Sequence, residues 1–449
     1  MKFIAVAALV ALALMALLRV PGGRVLELPA GVIEIHREML VAAGTELRGS
    51  PSGTVLHAAP DFDGRAVLVV DGAGVTLRNL TLDGNRDRLE RRAGLPASDK
   101  PFSQFTRGNG VLAVGALSFR VSDMHFRNIP GFAVLVSRAS GVRIERVDVA
   151  DSGSRDARGR NNSTGGILLE EGTCDFQVTH SQFHNIRGNG VWTHSLFTSP
   201  RNANGWIAFN EFSDLARDAI QVGHATRVRV EDNAGGRIGY PAELVDMAAS
   251  AIPVAIDTAG NVDLSAYIAN HFEEIDGKCI DLDGFHDGEV RDNSCVSRKS
   301  QDQYPYAHYG IVFNNSNPDA DSVNVTVTGN LIDGTGYGGI FLIGSRHLVS
   351  GNRLLGLNRD RCTGDMTRPG CNYAPDQPDL LHSGIYLGSG ADRPAKTERN
   401  RIEHNDISGF AMQHSCVAAA PGVSLARNRI EQNTCVDTMP DPPRSSPAR

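Results

Sequence analysis

The chain has 449 residues, a formal net charge of −7 and an apolar fraction of 41%. That balance fits a soluble folded protein and weighs against disorder or a many-span membrane protein. Net negative charge also argues against a phosphate-binding surface, so nucleic acid is not an expected partner.

Residues 1–20 come first. Met1-Lys2 followed by the apolar run Phe3 to Leu18 reads as a signal peptide or a signal anchor. The run is short of the roughly 20 apolar residues a membrane span needs, so no span beyond such an anchor is expected. The folded part is predicted to be exported: periplasmic, secreted or held at the cell surface. Seven cysteines agree with an oxidising compartment. Cys362 and Cys371 bracket a loop-like insertion, Cys416 and Cys435 stand one repeat apart, and Cys279 with Cys295 closes a third loop. Cys174 is left over. The plainer alternative is that several are buried free thiols.

From residue 24 to 436 a short pattern recurs: a small residue, then Ile or Val, then a few strand formers. It reads Gly110-Val111-Leu112-Ala113, Ala133-Val134-Leu135-Val136, Gly166-Ile167-Leu168-Leu169 and Gly190-Val191-Trp192-Thr193. Ala219-Ile220-Gln221-Val222, Cys279-Ile280-Asp281-Leu282, Gly310-Ile311-Val312-Phe313, Gly339-Ile340-Phe341-Leu342 and Gly384-Ile385-Tyr386-Leu387 continue it. Between these lie strands rich in Asn and Arg, such as Val228-Arg229-Val230-Glu231-Asp232-Asn233 and Asn400-Arg401-Ile402-Glu403-His404-Asn405. A repeat of a few short strands cannot bury its apolar face alone and must stack on its neighbours. Propeller blades need roughly 40–50 residues each, longer than this period. The predicted fold is all-β, a single-stranded right-handed parallel β-helix, with residues 437–449 as a disordered tail. The insertions 87–107, 235–250 and 358–381 are expected to project as loops.

Stacking aligns equivalent residues into columns about 4.8 Å apart, with alternate side chains facing out. The first outward column contains Trp192, Gln221, Asp281, Phe341 and Tyr386. Glu170, His194, Asp283 and Asn314 fall in the second. The segment Pro253 to Thr258 fills a long gap and places Asp257 in the second column beside Asp283. His224, Phe285, His286 and Asp287 lie close to this face. An outward polar column is the default for a solvated sheet, and Asp283-Gly284 and Asp287-Gly288 are ordinary turn dipeptides. Asp281 and Asp283, however, stand roughly 6.6 Å apart along one strand face. Three neighbouring carboxylates repel unless proton or metal chemistry occupies them. Asp257, Asp281, Asp283 and His286 are therefore the candidate catalytic residues. Glu170, Trp192, His194, Gln221, His224, Asp287, Asn314, Phe341 and Tyr386 are the candidate substrate-binding residues.

With these residues in place, the chain resembles the pectin-lyase-like superfamily, including its opening Leu28-Pro29-Ala30-Gly31 and Gly44-Thr45-Glu46-Leu47-Arg48-Gly49. That resemblance implies a polysaccharide substrate. In chemical style the carboxylates are most similar to polygalacturonase-type glycoside hydrolases, although that family's Gly-His-Gly segment and Arg-Ile-Lys strand are missing. Asp283-Gly284-Phe285-His286-Asp287 also resembles the Asp-Pro-His-Asp motif of alginate C5-epimerases, with Gly-Phe in place of Pro. The leading expectation is a hydrolase acting on a plant or microbial polysaccharide, with Asp283 or Asp281 as general acid and Asp257 or its neighbour activating water. The alternative is a uronate lyase or C5-epimerase with Ca²⁺ on Asp257, Asp281 and Asp283, and His286, His194 or Tyr386 as base. A third is a non-catalytic glycan-binding or cell-surface β-helix.

Overall fold

In the computed structural model the described residues are 19–20, 23–92, 94–246, 252–298, 307, 309–363, 365, 367, 371, 377–412 and 416–438. Most of the signal segment and most of the tail therefore lie outside them. Two compact units divide the chain, Met1–His271 and Phe272–Arg449. Among the described residues no helix is long and apolar enough to cross a membrane.

In the first unit every coil contributes strands to parallel ladders. Ala66–Asp71, Asn109–Val114, Val134–Ser137, Ile167–Glu170, Val191–His194 and Ile220–Glu231 pair in succession. The register joins Val111 to Val134, Val134 to Ile167, Ile167 to Val191 and Val191 to Ile220, as the repeated pattern predicts. Arg120–Arg127, Arg143–Ala150, Cys174–Thr179 and Asn202–Ala208 build another ladder, and Gln182–Ile186, Glu211–Leu215 and Ala234–Ile238 a further one. The second unit repeats the arrangement: Ile280 pairs with Ile311, Ile311 with Ile340 and Ile340 with Ile385. This is a right-handed parallel β-helix.

Inside each coil the alternation puts Val, Ile, Leu and Phe inward, and rings of successive coils meet. Phe183 and Phe212 stack at 5.0 Å with their planes 10° apart. Polar corners are satisfied by ladders of asparagine. Asn330 donates from N and Nδ2 to Asn352 Oδ1 at 3.0 and 2.9 Å, and its own Oδ1 accepts from Asn293 N and Nδ2, both at 3.0 Å. Asn352 and Asn405 continue the stack, and Asn210, Asn233 and Asn270 form its counterpart in the first unit. Replacing Asn330 by Ala removes the acceptor from two buried donors of Asn293. Each group left unsatisfied costs about 1–3 kcal/mol. We expect the urea midpoint of the Asn330→Ala variant to fall clearly, and an unchanged midpoint would show the ladder to be incidental.

All three cysteine pairs form in the second unit: Cys279–Cys295, Cys362–Cys371 and Cys416–Cys435. Cys174 is free.

The insertions do not simply project. Residues 87–107 bend back over the first unit's sheet through the short helix Phe102–Phe105. There Phe102 packs with Leu112, Leu135, Leu168 and Trp192 of the outward column. Leu244 and Asp246 are hydrogen-bonded to Asn161; residues 247–250 of that insertion lie outside the described residues. In the second unit Leu380 and Leu381 join Tyr309, Tyr337 and Tyr386 in one apolar cluster, beside the Cys362–Cys371 bridge.

Candidate functional site

These folded-back segments change what the outward columns offer. Trp192 is only 7% exposed, with the Phe102 ring edge-on at 5.0 Å. Tyr386 is 1% exposed, stacked with half-buried Phe341 at 6.2 Å and donating its hydroxyl to Gln377 Oε1 at 2.9 Å. Neither is the solvent-facing platform expected for a sugar ring. Glu170 is fully buried, because the insertion seats on it: its carboxylate accepts the backbone N–H groups of Phe102 and Ser103 at 2.8 and 2.9 Å. Burial pushes its pKa up, against those hydrogen bonds.

Gln221 is also buried; it accepts from Asn189 Nδ2 at 2.9 Å and donates to Asp257 Oδ2 at 2.5 Å. The register pairs Gln221 with Asp257 and Ile220 with Ile256. Asp257 therefore stands in the first outward column, not the second. The expected position was off by two residues, a slip that preserves which face a side chain points to.

His194 follows Glu170 in the second column. Burial depresses its pKa to about 4, with Glu171 opposing and His224 adding to the shift. Next comes a bulge: the ladder between Ile220–Glu231 and Val254–Asp263 shifts register between Gly223 and Ala225. His224 sits on it at φ +47°, edge-on to Phe197 at 4.9 Å. Its pKa is lowered chiefly by burial and then by Arg201. Both rings are thus neutral acceptors near pH 7.

The second unit holds Asp281 and Asp283, whereas Asp257 belongs to the first. Strand Lys278–Asp283 presents Asp281 and Asp283 on one face. Asp281 is buried and its Oδ2 lies 2.5 Å from Lys278 Nζ. Its Oδ1 is buried too and accepts no hydrogen bond among the described residues. Asp283 accepts from Ser316, at 2.7 Å from the backbone nitrogen and also from the hydroxyl. Even so its pKa is raised, first by burial and then by the negative charges of Asp281 and Asp392. Ser316 is carried by a clasp between two loops: Arg393 donates to Asn315 oxygens at 3.1 and 2.7 Å, and Asn315 Nδ2 returns a bond to Arg393 O at 2.9 Å. Asn314 caps that loop by accepting Asn315 N at 2.8 Å.

Beyond Gly284, at φ +68°, the chain turns through Phe285–His286. His286 Nδ1 pairs with Asp287 Oδ2 at 2.9 Å, and Asn324 holds the other Asp287 oxygen at 2.7 Å. His286 and Asp287 hence form a turn pair outside the two columns. Lys278, Ser316 and Asp392 were missed in the sequence. Lys278 had a signal, a charge opening the same strand. Ser316 and Asp392 stand on loops without periodicity. Among the described residues no group of three or more His, Cys, Asp or Glu side chains is arranged to hold a metal ion.

No family model matches the sequence, and no curated protein matches it. Solved structures do resemble it. A tailspike protein of E. coli bacteriophage HK620, solved with a pentasaccharide, aligns at TM-score 0.54 and 12% identity, over 90% of this chain and 71% of that one. DFA-IIIase from Arthrobacter chlorophenolicus A6 aligns at 0.53 and 14%, over 91% and 89%. The mannuronan C-5 epimerase A-module of Azotobacter vinelandii gives 0.52 and 12%, over 93% and 91%. Against two longer viral chains the protein spans 49% and 61% of their length. At these identities the likeness is one of fold alone, the right-handed parallel β-helix.

Proposed function

We propose that this chain is an exported glycoside hydrolase acting on a polysaccharide, with Asp283 as general acid and Asp281 as the base that activates water. The observation carrying this reading is the contrast between two carboxylates on one strand face. Asp283 is driven toward its protonated form by burial and by like charges. Asp281 is ion-paired to Lys278 and keeps one buried oxygen without a donor. A carboxyl group held toward its protonated form beside a second carboxylate on the same strand face is what acid–base cleavage of a glycosidic bond requires. The two positions stand about 6.6 Å apart along the strand, and the anomer released decides between inversion and retention.

In this mechanism Asp283 protonates the leaving oxygen while Asp281 takes a proton from the attacking water. Lys278 holds Asp281 in place through its ion pair, and Ser316 orients Asp283. Asp257 is left without a catalytic role here. The polysaccharide class rests on fold analogy, since the similar structures include an epimerase of mannuronan and a tailspike solved with a pentasaccharide. Export is supported by the apolar segment 3–18 and by the three disulfides.

The test is a polysaccharide screen on the purified chain, with and without chelator, scoring reducing ends, unsaturated products and the anomer released. New reducing ends without unsaturation, independent of chelator, are expected. An unsaturated or epimerised product lost in chelator would replace this reading with the Ca²⁺-dependent lyase or epimerase. Glycan binding without any turnover would leave a binding protein.

A further inference from the structure

The first unit contains a cavity of about 530 Å³, within the roughly 300–1,000 Å³ typical of small-ligand sites. The insertion 87–107 contributes to it, together with the turns that precede three strands of the sheet. Phe62 and Phe105 supply apolar lining, and Phe105 is 37% exposed. Ser154, Asn162 and Thr164 supply buried polar groups.

The charges of this lining are unevenly matched. Asp61 is bound by His36 at 2.7 Å. Glu90 is bound by two guanidinium groups, Arg155 at 3.0 Å and Arg187 at 2.8 Å. Asp63 is likewise shared by Arg91 and Arg107. Two of the three acidic residues of the lining are therefore each met by two guanidinium groups. Arg88, also in the lining and exposed, has no acidic partner among the described residues. The surplus is positive, so an anion gains from entering. An aromatic face, buried hydroxyl and amide groups and a spare guanidinium together match a ring that is apolar on its faces, hydroxylated at its edges and carries one carboxylate.

We propose that this cavity is a second saccharide site, taking a uronate residue whose carboxylate meets Arg88 and whose ring lies against Phe105. Its residues all belong to the first unit, whereas Asp281 and Asp283 belong to the second, and it does not depend on the chain being a hydrolase.

Titration calorimetry of the full chain tests it with trisaccharides of galacturonate, glucuronate, mannuronate and guluronate, and with their neutral hexose counterparts. At least one acidic trisaccharide should bind ten-fold or more tightly than its neutral counterpart. Arg88→Ala and Phe105→Ala, both at exposed positions, should each weaken it at least ten-fold, and Asp283→Asn should leave it unchanged. The proposal is overturned if no acidic trisaccharide binds or if both substitutions leave affinity intact. Loss of binding in Asp283→Asn would also overturn it, by assigning the ligand to the carboxylates. The hydrolase reading stands or falls separately, on reducing ends.

Discussion

Asp283→Asn is expected to abolish release of reducing ends while leaving the folded protein more stable at neutral pH. Asparagine keeps the shape and one acceptor for Ser316 but has no acidic proton to give the leaving oxygen. Loss of a positioned general acid lowers turnover about 10²–10⁴-fold. The stability side follows from the raised pKa, whose first cause is burial, followed by Asp281 and Asp392. A proton held more tightly in the folded state than in the unfolded one makes stability fall as pH rises. That fall spans the window between the unfolded aspartate value, about 3.9, and the higher folded one. Above it Asp283 is a half-buried charge beside two others, and Asn removes that repulsion. In wild type the same titration should shape activity: turnover declines on the alkaline side as Asp283 loses its proton. The measurements are a pH–rate profile of wild type and paired thermal melts at pH 4 and pH 7. A variant that keeps turnover, or one that melts lower than wild type at pH 7, would remove Asp283 from the acid's role.

Much of this architecture was readable in the residues because solenoids repeat. Val111, Val134, Ile167, Val191 and Ile220 announce their register by spacing alone, and the structure pairs them so. The cysteine pairs were readable for the same reason, since closing one loop or one coil leaves few partners within reach. Asp257 was misplaced because a slip of two residues keeps every side chain on its face. The cover over Trp192 and Tyr386 was missed although it left a trace. Leu112, Leu135 and Leu168 fall in succession in the outward column, and three stacked leucines facing water require something to bury them. What buries them, Phe102, comes from an aperiodic insertion, and no repeat predicts where such a segment lands.

That covering segment leads to the second large effect, expected for Glu170→Ala. Glu170 reaches no solvent, and its two oxygens receive the N–H groups of Phe102 and Ser103. Alanine leaves both buried donors without an acceptor, at about 1–3 kcal/mol each. Release of the segment 87–107 avoids that cost by giving the N–H groups to water, so the local seat should open before the β-helix itself unfolds. Phe102 then leaves Leu112, Leu135, Leu168 and Trp192 uncovered. We expect Trp emission to shift to the red, trypsin to cut within 87–107, and a dye that reports exposed apolar surface to bind. Glu170→Gln retains one acceptor and should fall between wild type and Ala. An unchanged cleavage pattern in Glu170→Ala would mean that Phe102 alone holds the segment. Because Arg88 and Phe105 sit on that same segment, opening it should also abolish uronate binding in the cavity. Asp283 and its clasp through Ser316 and Arg393 lie in the other unit, so turnover of a neutral polymer should survive. A variant that loses uronate binding but keeps turnover would separate the two activities with a substitution that touches neither ligand.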